Sequence, residues 1–249
     1  MRNFHFGTMG WSYEFWKGGF YPDDLDSAKF LEYYSKQFDT VEVDNTFYRI
    51  PGEHTILEWQ KQVPSDFLFS LKFPRKITHV KMLQNAEEET TVFLKRAKLL
   101  GENLGSLLIQ LPPYFKDESY GTLCGFLDKL PNSFRYAIEV RNRAMLCPEL
   151  YQTLRVHNVA LAWADSPSNP AVLEITGGFI YVRWEGDRKK VNGTLGKVEM
   201  DQTSYTETWA KKLRACEDRG TQMLGYFSKY YSGLPTEDAQ QLRRFMETN

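Results

Sequence analysis

The chain has 249 residues, 42% hydrophobic and 25% charged. That is enough apolar side chain for a large core and more than a disordered chain carries. Its 31 basic and 32 acidic residues leave a formal charge of -1, which excludes a uniformly basic surface for polyanions, so any anion site has to be local. Three scattered cysteines, odd in number and without metal-ligand spacing, exclude a disulfide framework and a structural zinc site.

In chain order, short apolar runs read as buried parallel strands at residues 4–9, 40–43, 67–72, 106–110, 136–139, 159–163, 179–184 and 223–227. Between most of them lie amphipathic helical patterns, at residues 27–38, 53–63, 86–100, 147–157 and 204–219, and a last helix spans 234–246 with Thr236 as its N-cap. Only residues 166–179 separate the sixth and seventh runs. They hold Pro167, Pro170, Gly177 and Gly178, so a short or missing sixth helix is expected. Strict alternation implies a parallel sheet covered by helices. Eight strands favour closure into a (β/α)8 TIM-type barrel over a doubly wound open sheet. No linker or shift of composition divides the chain, so one domain over 1–249 is expected. The start lacks an apolar signal core and no run of about 18 apolar residues occurs, so a cytoplasmic protein without membrane association is expected.

Barrels of this type place their sites at the C-terminal ends of the strands. Nearly every predicted strand ends in an ionisable or hydrogen-bonding residue. The first leads to Trp11 and Tyr13, the second ends with Glu42, Asp44, Asn45 and Tyr48, and the third ends at Lys72 with His79 beyond it. The fourth ends at Gln110, the fifth carries Glu139 and Arg141, and the sixth reaches Asp165. The seventh carries Arg183, and the eighth leads to Lys229 and Tyr230. Charged residues are rarely buried unless paired. They form either a convergent ligand site or an ion-pair layer capping the core.

Several segments in order resemble the YecE-like family. They are Gly10-Trp11-Ser12-Tyr13, the second-strand block from Val41 to Pro51, Phe69 to Pro74 with Ile77-Thr78-His79, Gln110-Leu111-Pro112-Pro113 and Glu139-Val140-Arg141. The resemblance implies a TIM barrel related to sugar-isomerase and endonuclease IV-like barrels, and supplies no activity. Three places depart from the family pattern. Glu185 stands for a histidine, Ser228-Lys229-Tyr230 for Asn-Asn-His, and Met145 for a tryptophan.

Glu42, Lys72, Glu139 and Asp165 are the candidate catalytic groups, since carboxylates with divergent pKa values divide acid and base roles. Lys72 serves either as a Schiff-base amine or as a counter-charge. Arg141 and Arg183 offer forks for a phosphate or carboxylate. Asp44, Asn45, His79, Gln110 and Lys229 are further ligand contacts. Trp11, Tyr13, Trp16, Tyr48 and Tyr230 offer stacking surfaces. Four histidines, with only His79 near the mouth, do not build a zinc cluster, so no metal-ligand residues are assigned. Magnesium or manganese on carboxylates is the one cofactor these residues suggest. The expected partner is a small anionic or sugar-like molecule. A nucleic-acid-processing protein and a non-catalytic binding protein are the alternatives, and the oligomeric state is left open.

Overall fold

The computed structural model describes residues 3–217 and 220–248. Eight strands alternate with helices: β1 (Phe4–Thr8), β2 (Thr40–Val43), β3 (Leu68–Lys72), β4 (Leu104–Gln110), β5 (Tyr136–Glu139), β6 (Ala160–Asp165), β7 (Phe179–Trp184) and β8 (Gln222–Phe227). The α-helices among the described residues are α1 (Phe30–Ser35), α2 (Glu53–Lys61), α3 (Glu87–Lys98), α4 (Tyr120–Leu127), α5 (Pro148–Val156), α6 (Thr203–Glu217) and α7 (Pro235–Glu247). The helix predicted over 204–219 is described as far as Glu217; Asp218 and Arg219 lie outside the described residues. No helix joins β6 to β7, as the proline- and glycine-containing segment predicts. α4 was absent from the sequence reading, because Gly121 and Gly125 interrupt its pattern.

The sheet order is β1-β8-β7-β6-β5-β4-β3-β2, and every neighbouring pair is parallel. The two end strands meet at one bridge, Met9 to Glu42, with the Gly10 N–H donating to the Glu42 carbonyl at 2.8 Å. Below that bridge the Tyr34 hydroxyl fills the seam. It accepts from the Thr8 N–H at 3.0 Å and donates to the Thr40 carbonyl at 3.1 Å. A buried backbone group has to find a partner, and a phenol from α1 supplies it. Gly7 is needed at this seam, because a Cβ there would stand 2.1 Å from the Thr40 carbonyl oxygen. This is a nearly closed TIM-type (β/α)8 barrel.

Two cores result. The larger lies between strands and helices and takes the fully buried Trp16, Trp184 and Trp209. The smaller fills the barrel with Met9, Leu108, Ala137, Ala162, Tyr181, Leu224 and Tyr226. Hydroxyls inside the barrel satisfy one another. The Tyr226 Oη lies 2.8 Å from Thr40 Oγ1 and 2.7 Å from Ser70 Oγ, and Ser70 is 2.8 Å from Ser106. Each would be costly to bury alone.

Candidate functional site

Side chains alternate between the two faces of a strand, so the residues above Tyr181 on β7 are Arg183 and then Glu185. Arg183 stands beside Ala164 of β6 and Tyr226 of β8 in register. The small alanines of β6 leave room for its long side chain. Its guanidinium is buried and forms the floor of the barrel mouth. Nε lies 2.9 Å from Glu42 Oε2, and Nη2 lies 2.8 Å from Glu42 Oε1. Nη1 also binds both Glu139 and Glu185. Three carboxylates thus share one cation. The Tyr181 hydroxyl donates to Glu42 at 2.6 Å, and Gln110 and Arg141 donate to Glu139 at 2.8 and 2.7 Å. Charge-assisted, multidentate bonds of this kind fix geometry.

Above that floor lies a cavity of about 410 Å³ walled by Asp44, Lys72, His79, Arg141, Lys229 and Tyr230, among others. Lys72 Nζ is 3.5 Å from Asp44 and 4.5 Å from the centre of the Phe47 ring. Asp44 Oδ1 is buried and has no hydrogen-bond partner, with Arg183 Nη2 3.7 Å away. Lys229 Nζ lies over the rings of Tyr13, Phe15 and Tyr230 at 5.2 to 5.7 Å. Arg188 stacks on Tyr230 at 4.7 Å. Six cations line the cavity (Lys72, Arg75, Arg141, Arg183, Arg188 and Lys229) against Asp44 and Glu185. Glu42 and Glu139 lie behind it. A second cavity, about 840 Å³, adjoins through Arg141, Glu185 and Arg188.

The loop after β7 makes one wall and is locked in place. The Asp187 N–H donates to the Tyr230 carbonyl at 3.0 Å. Gly186 is in the left-handed region, and a Cβ there would stand 2.0 Å from the Tyr230 carbonyl oxygen.

The two floor glutamates titrate apart. Burial pushes Glu42 up to about 7, although Arg183 works against it. Burial pushes Glu139 the same way, but Arg183, Arg141 and Lys72 prevail and hold it well below the ordinary carboxylate range. His79 falls to about 4 through burial and the nearby Lys72 and Arg141 charges, so its ring is neutral at pH 7. Burial opposes the charge of Arg183, yet its carboxylates raise its pKa well above the ordinary value.

The mouth brings together Tyr13, Asp44, Tyr48, Lys72, His79, Gln110, Arg141, Arg183, Lys229 and Tyr230, and Glu139 lines the adjoining cavity. Five sequence candidates stand elsewhere or act differently. Asp165 points outward, with the parity of Trp163, and accepts from the Tyr205 hydroxyl at 2.8 Å and Trp209 Nε1 at 3.2 Å; it ties α6 to the barrel. Trp11 is a core residue, edge-on to Trp59 at 5.4 Å and to Phe69 at 6.3 Å. Asn45 is exposed outside the cavity wall and uses its carbonyl to cap the turn at Tyr48 and Arg49. Glu42 lies beneath Arg183, outside the wall, and holds its guanidinium. The Trp16 ring is also buried in the outer core. Met145, grouped by sequence with the mouth, is buried in the outer core as well.

Sequence reasoning left out Phe47, Arg75, Glu185 and Arg188 as site members. Glu185 follows Arg183 by two residues, and that spacing was the available signal. Among the described residues no three His, Cys, Asp or Glu side chains form a group able to hold a metal ion. The floor carboxylates surround a guanidinium, so the magnesium or manganese of the sequence reading finds no donor set here. No helix among the described residues is long and apolar enough to cross a membrane.

The profile of the family described as "Protein of unknown function DUF72" matches residues 5–249. The chain belongs to the DUF72 family. Among DUF72 relatives, the UPF0759 protein YecE of Escherichia coli K12 is 38% identical over 112 residues, which is 45% of this chain and 41% of that protein. This chain therefore spans less than half of YecE in that match. YunF of Bacillus subtilis is 25% identical over 98% of this chain and 94% of its own length. A solved DUF72 protein from Thermotoga maritima superposes with a TM-score of 0.83 at 24% identity, covering 98% of this chain and 99% of that one. One from Enterococcus faecalis gives 0.78 at 21%, covering 99% and 96%. These two likenesses carry the DUF72 fold and nothing finer.

Proposed function

We propose that the barrel mouth binds a small anionic, hydroxyl-bearing molecule of the sugar-phosphate or sugar-acid kind. The observation that carries this reading is the excess of cations facing the cavity. Arg75 and Lys229 line it without an ion pair among the described residues, and a fully buried guanidinium forms its floor. In a cleft with low-dielectric walls such charges concentrate anions. Lys72, Arg141 and Lys229 surround the anionic group. Tyr13, Tyr230 and Phe47 offer ring faces to the sugar body. Asp44 Oδ1, held near Lys72 and Arg183 by charge but without a hydrogen bond of its own, accepts a hydroxyl of the ligand.

Acid/base work falls to the groups that reach the cavity, Asp44 with Lys72 and the neutral His79. Glu42 and Glu139 act as positioning residues for Arg183 and Arg141. A cytoplasmic setting suits the free thiols of Cys124 and Cys147.

The test is calorimetric titration of the full chain with glucose 6-phosphate, gluconate and glucose. The expected result is saturable binding of the two anions that weakens with salt, and none of neutral glucose. Lys229→Ala and Arg75→Ala each lower anion affinity, by roughly tenfold for a charge-assisted contact worth about 1.4 kcal/mol. Equal binding of glucose and its phosphate, or no binding of either anion, overturns the reading.

A further inference from the structure

A third cavity, of about 770 Å³, lies outside the barrel between α3 and α4. Leu83, Leu94, Phe126 and Leu130 line it, each less than a tenth exposed. The lining surface is mostly apolar, framed by the exposed Gln84, Thr91, Lys95 and Lys98. A chain of methylenes buries well against such an apolar strip.

Three features of this slot go unexplained by folding alone. Thr90 lines it, 92% buried, and its hydroxyl has no hydrogen-bond partner; it does not make the back-bond to the preceding turn that helix threonines commonly use. Gly125 sits inside α4 facing the slot, and a Cβ there would meet nothing within 4 Å, so packing does not require the glycine. Met82, Leu83 and Asn85 all have positive φ, at 52°, 67° and 49°. Such a cluster of non-glycine left-handed residues is uncommon and gathers at functional sites. Leu83 and Asn85 are part of the lining.

Lys95 and Lys98 border the slot without an ion pair among the described residues, while Lys129 is clasped to Glu87 at 2.6 Å across it. We infer that the α3–α4 slot binds a long-chain fatty carboxylate. The carboxylate accepts from the Thr90 hydroxyl and sits by the Lys95 ammonium, and the acyl chain runs over Leu94, Phe126 and Leu130. Lys95 lies five residues beyond Thr90, at the exposed edge of the lining, so its long stem supplies the charge from the rim. This site is separate from the mouth and does not rest on the function proposed there.

The test is calorimetric titration of the full chain with oleate below its aggregation threshold, with oleyl alcohol as the neutral comparison. One saturable site for oleate, weaker by roughly tenfold or more for the alcohol, is expected from the loss of a paired charge. Gly125→Leu fills the slot and abolishes binding while circular dichroism shows the fold intact. Thr90→Val weakens oleate and, with no ligand present, raises the melting temperature, since it removes an unsatisfied hydroxyl. Lys229→Ala, at the mouth, leaves oleate affinity unchanged. Binding that survives Gly125→Leu overturns the inference. So does the absence of saturable binding, or a concentration-dependent dimer that Gly125→Leu dissociates, which would give the slot to a second copy of the chain.

Discussion

Replacing Arg183 by methionine removes, among the described residues, the only cation in contact with Glu42 and one of the two bound to Glu139. In the wild type three Arg183–Glu42 contacts of 2.8 to 3.2 Å occur in a site closed to solvent. Glu139 keeps Arg141 and Gln110, whereas Glu42 keeps only the Tyr181 hydroxyl. Removing one partner of a buried pair costs about 3–5 kcal/mol, a large part of a total stability of about 5–15 kcal/mol. At about 2–4 °C per kcal/mol for a chain of this size, the melting temperature drops by roughly 6–20 °C.

The loss depends on pH in a defined direction. Without the guanidinium, the folded-state pKa of Glu42 rises further above its unfolded value. The folded state then holds a proton that the unfolded chain has released. Stability therefore falls as pH climbs from the unfolded pKa towards the folded one, and Arg183→Met is hurt more at pH 8 than at pH 5.5. Urea denaturation at both pH values measures this, and adding Glu42→Gln to the variant recovers part of the loss at pH 8. A loss below about 1 kcal/mol, within the range of an exposed pair, or an equal loss at both pH values would refute the reasoning.

In the wild type, Glu42 is raised from the ordinary 4.5 to about 7, so its contribution to stability falls as pH rises through that interval; Glu42→Gln should flatten this part of a stability–pH curve, and an unchanged slope would place the proton elsewhere. Asp165→Ala unties α6 and should cost about 1.5–3 kcal/mol, the range for a hydrogen bond to a charged group, while sugar-phosphate affinity measured by titration stays unchanged. Gly125→Ala should raise stability by about 0.5–1 kcal/mol from helix propensity alone, read as a higher denaturation midpoint with the same urea dependence.

The barrel was legible because eight short apolar runs alternate with helical patterns, and because a segment with two prolines and two glycines leaves no place for a sixth helix. α4 was hidden because Gly121 and Gly125 lower its propensity without lowering its burial. The position of the mouth was legible too, since charged residues at the ends of parallel strands have few other places to go. Direction was harder to read. β6 is buried on both faces, so its sequence Ala-Leu-Ala-Trp-Ala-Asp shows no polar alternation to mark the inward side. A one-residue error of parity moves a side chain to the opposite face, and Asp165 was misread that way. Sizes held the answer, since Ala162 and Ala164 are small enough to face Tyr181 and Arg183. Trp11 failed for another reason. Its glycine-flanked loop looks exposed, and only the packing of α2 brings Trp59 against it. Glu42 lies under Arg183, and that depth along the barrel axis is not written in a strand motif.

An anomalous-scattering map from crystals soaked in tungstate addresses the cationic mouth directly, because tungstate is a tetrahedral oxyanion that the rim should hold as it holds a phosphate. The expected result is one dominant peak within hydrogen-bond reach of Arg141, Lys72 or Lys229. Peaks confined to surface lysines, with the mouth filled only by water, would contradict an anion-binding barrel.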